Sequence, residues 1–162
     1  MGRSDEGVAP YGCLCQPKHP DKPKLEKRGI YTVKKPPLFI PCAKKRKGSS
    51  AYYEFQYCKR DLTVEQAVKS DAWTYWAEDS LLVHMDGEHA LFHSYIKPYM
   101  SAPHAPNGSR VYFYAGVNYY TREETAEMLD RIKTDRPDGC EVLIPWLERA
   151  AGELYGFYIL GI

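Results

Sequence analysis

Proline placement divides this chain before any motif is considered. Seven of its twelve Pro (Pro10, Pro17, Pro20, Pro23, Pro36, Pro37 and Pro41) fall in the first 48 of 162 residues. Proline fixes φ at about −65° and removes a backbone donor, so this stretch holds neither a regular helix nor a central strand. Extended or polyproline-like backbone is expected there, with room for one short strand at 29–33. The apolar residues Tyr31, Leu38, Phe39 and Ile40 favour docking of part of the arm onto a surface. The sequence thus predicts an extended basic arm over residues 1–48 and a single α+β domain over 49–162: a mostly antiparallel sheet with two or three packed helices.

Charge follows the same division. Residues 1–48 carry 12 Lys/Arg against 4 Asp/Glu, a net of +8, while residues 49–162 carry 10 against 17, a net of −7. A basic arm on an acidic body suits either self-association of the two parts or an anionic partner. No apolar run approaches the ~20 residues that span a bilayer. The first residues lack the pattern of a secretory signal, so the five Cys are expected as thiols in an intracellular, by default cytoplasmic, setting.

Within the body, residues 50–57 (SAYYEFQY) alternate and are aromatic, which predicts a strand. Thr63 with Gln66 forms a capping box ahead of an apolar stripe at Val64, Ala67, Val68, Ala72, Tyr75 and Trp76, predicting a core-facing helix over 63–78. Asp86-Gly87 between two apolar runs is a turn signal that predicts a hairpin over 80–95; the alternative is a helix restarting at Glu88. Residues 98–108 read as a loop, 109–117 as a central strand, and 121–133 as a helix capped by Thr121 and Glu124. A turn at 135–139, a short strand at 140–144, a helix opened by Pro145 and a buried terminal strand complete the reading.

Three groups of residues suit binding chemistry. His84, His89 and His93, with Asp86 and Glu88 nearby, carry imidazoles that suit zinc; on a hairpin His84 and His89 share a face, and on a helix His89 and His93 do. His104, in the following loop, can join either arrangement. Cys13, Cys15, His19 and Cys42 form a second zinc-type ligand set, although C-x-C is tighter than the usual spacing. Lys44, Lys45, Arg46 and Lys47 stand beside Tyr52 and Tyr53, pairing phosphate-seeking charge with rings that stack on bases. The 14 Tyr, against 5 Phe and 3 Trp, suit half-buried surfaces and interfaces.

No HExxH, GxSxG, P-loop or GxGxxG pattern is present, and the weight falls against an identifiable enzyme. The expected function is therefore that of an interaction protein. It would bind a larger protein or ribonucleoprotein assembly through its arm and Tyr-rich surface, as an accessory subunit or small inhibitor. A nucleic-acid module built on 44–57 and a metal-dependent enzyme built on 84–93 are the alternatives. Oligomeric state is not legible in the sequence.

Overall fold

A computed structural model describes residues 37–44, 51–112 and 116–161 of the chain. The expected strand at 29–33 and the bulk of the arm lie outside the described residues. Strands β1 (Ile40–Pro41), β2 (Tyr52–Tyr57), β3 (Leu81–His84), β4 (Val117–Tyr120) and β5 (Phe157–Gly161) form one sheet in the order β1-β3-β2-β5-β4. Every pairing is antiparallel, with β2 central: Tyr53 stands opposite Val83 on one side and Gly161 on the other. Helices α1 (Val64–Ala67), α4 (Arg122–Asp135) and α5 (Cys140–Gly152) and a helical run over 85–99 accompany it. The architecture is α+β.

Successive side chains of a strand point to opposite faces. On one face Tyr53, Phe55, Tyr57, Leu81, Val83, Phe157 and Ile159 pack against Met128, Leu129 and Ile132 of α4 and Leu143, Trp146 and Leu147 of α5. Trp146 stacks on Tyr57 at 4.2 Å between ring centroids and meets Phe157 edge-on. On the other face Val117, Tyr119, Tyr158 and Leu160 pack with Cys58, Ala67 and Val68. Both faces are therefore covered, which explains why every residue of β2, β4 and β5 is buried. Most of the described Tyr belong to this interior: Tyr52, Tyr53, Tyr57, Tyr95, Tyr119, Tyr120 and Tyr158 are all buried.

Several expectations hold. β2, the capping box of Thr63 and Gln66, the Thr121–Glu124 capping box of α4 and the buried terminal strand are all present. Phe39 docks as its apolar neighbourhood suggests, edge-on to Phe55 and Tyr95 at 5.5 and 4.9 Å.

The helix expected over 63–78 stops after one turn, at Ala67. Further on, a helix reaching residue 78 is ruled out by Glu54, a fully buried carboxylate on β2. It accepts hydrogen bonds from the backbone N–H of Trp76 (2.7 Å) and Ala77 (2.9 Å), the Ser80 hydroxyl (2.6 Å) and the Gln56 amide (3.2 Å). Gln56 in turn accepts from the Thr74 N–H (3.3 Å) and donates to the Thr74 carbonyl. A buried charge needs several donors, and these backbone groups cannot serve both Glu54 and a helix. Capture of the chain at 74–80 leaves Trp76 at φ 67°, left-handed and strained for a bulky residue. Tyr75 on this segment is exposed, as is Val64 in α1, contrary to the expected stripe.

The hairpin expected over 80–95 is also absent. Leu81–His84 is a strand, but both its sides are taken by β2 and β1. Gly87 has φ −90°, so the left-handed geometry of a two-residue hairpin is not used. Instead the His84 Nδ1 accepts from the Asp86 N–H at 3.2 Å and starts a helical run: a 3-10 turn (Met85–Gly87), α2 (Glu88–Leu91), a π turn (Phe92–Ile96) and α3 (Lys97–Tyr99). Leu91, Tyr95 and Ile96 of this run enter the core.

The expected central strand over 109–117 is β4, which begins at Val117 and lies at the sheet's end. The short strand expected at 140–144 is the first part of α5, which Cys140 rather than Pro145 begins. Leu143, Trp146, Leu147 and Ala150, at helical spacing, are its buried face. Pro145 lies on the exposed face, where water can serve the carbonyl that its missing N–H leaves open.

Gly156 joins α5 to β5 at φ 99°, with a position for Cβ only 2.1 Å from the Tyr120 carbonyl oxygen. Gly156→Ala is expected to destabilise the fold by roughly 2–5 kcal/mol, from strain plus overpacking. Urea unfolding of the two proteins checks this; equal midpoints would contradict it.

Candidate functional site

A groove of about 720 Å³ opens on the body, within the range of binding clefts. One wall is α1 and the turn after it, with Val64, Glu65, Val68, Lys69 and Asp71; the other is the loop from His104 to Ser109. The walls exist for separate reasons. Thr63 caps α1, and Glu54 holds the Trp76 N–H that a helix reaching residue 78 would need. Across the groove, His104 is tied to β4 by two backbone hydrogen bonds to Tyr119, each 2.9 Å. The turn behind it is closed by Gly108 N–H to the Ala105 carbonyl (2.9 Å) and by Ser109 N–H to Asn107 Oδ1 (3.0 Å).

Charge converges at the His104 end. Glu124 is held by its place in the α4 cap, where Oε2 accepts from the Thr121 N–H at 3.0 Å. Its other oxygen, Oε1, accepts from Arg110 at 2.6 Å and lies 3.3 Å from His104 Nε2. Arg110 Nη1 also meets His104 Nε2. One nitrogen cannot accept from Arg110 and donate to Glu124 together. Burial is the largest influence on His104 and pushes its pKa below the ordinary 6.5; Glu124 pulls it back up and Arg110 pushes it down. A neutral ring therefore accepts from Arg110 through Nε2, and the charge pair at this corner is Arg110–Glu124. The Ser109 hydroxyl, a groove residue, is buried without a hydrogen-bond partner. Apolar lining, an ion pair and a neutral imidazole together suit recognition of a partner segment with both apolar and polar groups.

The residues singled out in the sequence are distributed otherwise. His84 turns towards Asp86, with 3.1 Å between Nδ1 and Oδ2, while His89 and His93 stand together on the helical run. Among the described residues no group of three or more His, Cys, Asp or Glu side chains is arranged to hold a metal ion. Cys42 is half-buried in a 3-10 turn (Cys42–Lys44), and Cys13, Cys15 and His19 lie outside the described residues. Lys44 ends that turn; Lys45, Arg46 and Lys47 lie outside the described residues. Tyr52 and Tyr53 are 3% and 2% exposed, so neither ring offers a face for a base to stack on.

Sequence reasoning missed Arg110 and Glu124 as site residues. The usable signal was the Thr121–Glu124 capping box, which fixes one Glu124 oxygen and leaves the other to turn towards the loop. Comparison with protein-family models, with curated proteins and with solved structures finds no match to this chain.

The His104 environment sets a pH dependence. The folded state lowers this pKa, so the unfolded chain binds more protons, and the stability tied to neutral His104 is intact above about pH 6.5 and declines below it. His104→Gln is expected to flatten the fall in Tm between about pH 7 and 5. Superimposable Tm–pH profiles for the two proteins would refute this.

Proposed function

We propose that this protein works by binding a larger protein assembly, as an accessory subunit or a small inhibitor. Its basic arm is the electrostatic anchor, and the groove between α1 and the 104–109 loop is the body's contact. The observation that carries this reading is the charge split, +8 over residues 1–48 and −7 over 49–162. Opposed charge on one chain steers association with a partner of complementary pattern and sets orientation. The fastening of Phe39 into the core supports the anchoring role, because pull on the arm is transmitted to the sheet.

The body's contact falls to groove residues and to exposed apolar side chains such as Val64, rather than to Tyr52 and Tyr53. The setting is intracellular, where Cys58 and Cys140 persist as buried thiols. No helix among the described residues is long and apolar enough to cross a membrane.

The test is quantitative capture from native lysate with the full chain and with a full chain carrying Lys44→Gln, Lys45→Gln, Arg46→Gln and Lys47→Gln. Nuclease treatment precedes the capture. A single protein partner at constant stoichiometry, retained after nuclease and weakened at least ~10-fold by the four substitutions, is expected. Loss of all partners on nuclease treatment would instead establish nucleic-acid binding, and equal capture by both chains would remove the anchoring role.

A further inference from the structure

The helical run over 85–99 changes pitch three times, and its one π turn, Phe92–Ile96, follows directly on the end of α2 at Leu91. Such turns are rare and recur at functional sites. Here the change of pitch sits between two imidazoles. His89 and His93 are four residues apart, both exposed, with ring centroids 4.3 Å apart and planes tilted by 36°. Phe92 meets the His93 ring edge-on at 5.3 Å. Met85, Asp86, Glu88 and Phe92 join the two rings around a hollow of about 330 Å³.

We infer that His89 and His93 form a two-imidazole site for a divalent transition-metal cation of the zinc class, with water or a donor from another molecule completing the coordination. Imidazoles at i and i+4 share one helix face, which is the spacing that lets a helix chelate zinc through two His. Two nitrogens bound at ~2.0–2.1 Å in a tetrahedral shell lie roughly 3.3 Å apart. Rings with centroids 4.3 Å apart reach that separation by side-chain rotation alone. Nitrogen donors select zinc, copper, nickel or cobalt over magnesium and calcium, which take oxygen. His84 is not part of the set, because it does not line the hollow and its Nδ1 accepts from the Asp86 N–H. With two protein ligands the shell stays open, so the bound cation is available to bridge to a second molecule. The site stands independently of the groove and the arm.

The experiment titrates the full chain with Zn²⁺ by calorimetry and with Co²⁺ by absorption spectroscopy, beside His89→Gln, His93→Gln and His84→Gln. Gln keeps helix propensity, and far-UV spectra verify that each variant is folded. Co²⁺ separates this site from one built on Cys13, Cys15, His19 and Cys42, since thiolate ligands add an intense sulfur-to-metal band and imidazoles do not. The expected result is a binding event without that band, weakened at least ~10-fold, or about 1.4 kcal/mol, in His89→Gln and His93→Gln. His84→Gln should bind as the parent does. Zn²⁺ should also raise the parent's Tm and leave that of His93→Gln unchanged. Absence of binding to the parent, undiminished affinity in the His89 and His93 variants, or equal loss in His84→Gln would overturn the assignment.

Discussion

A single buried carboxylate organises one face of this protein. Glu54 sits on the central strand, fully removed from water, and collects donors from residues 22 to 26 positions further along the chain. Leaving such a charge unpaired in the interior costs several kcal/mol, whereas charge-assisted hydrogen bonds contribute roughly 1.5–3 kcal/mol each. The balance therefore depends on holding all the donors at once, which requires the chain at 74–80 to take one path. Trp76 accepts a left-handed backbone on that path, a cost of roughly 1–3 kcal/mol that the carboxylate's hydrogen bonds exceed. The same segment is fastened elsewhere: the Asp79 carbonyl accepts from the Trp146 indole at 3.0 Å, and the Asp79 carboxylate pairs with Lys59 at 3.0 Å.

The groove has two walls of separate origin. α1 ends at Ala67 and presents Val64, Glu65 and Val68 to the loop that β4 pins at His104. That loop also gives the sheet's outer strand a neighbour at the His104–Tyr119 bridge, which shortens its open edge. At the opposite end β1 is two residues long and ends in Pro41, a combination that discourages strand addition. Recognition on this body is therefore better served by side chains of the groove than by an exposed sheet edge.

What the sequence disclosed, and what it withheld, has a common physical cause. α4 was legible because its cap, charge gradient and buried face (Thr125, Met128, Leu129, Ile132) are all local. β2 was legible from its aromatic alternation, although the buried Glu54 and Gln56 in its second register gave no hint of their partners. The errors over 63–78 and 80–95 arose where a distant group outbid a local preference. For the first it was the Glu54 carboxylate; for the second, β1 and β2 had already filled both sides of Leu81–His84. The short strand at 140–144 was misread because Pro145 looked like a helix start, while the burial pattern that decides it extends past the proline to Ala150. Of the candidate site, the His89–His93 pair was visible as a spacing, whereas the His104–Arg110–Glu124 corner joins a loop to a helix cap 14 residues beyond Arg110.

The dependence of the fold on Glu54 is tested most directly by amide hydrogen exchange at Trp76 and Ala77. Both belong to a stretch without regular secondary structure, where amides ordinarily exchange at the rate of a surface loop. If the carboxylate holds them as described, they exchange as slowly as the amides of β2, and Glu54→Gln releases both together. Rapid exchange at Trp76 and Ala77 in the parent protein would show that the carboxylate does not organise this face.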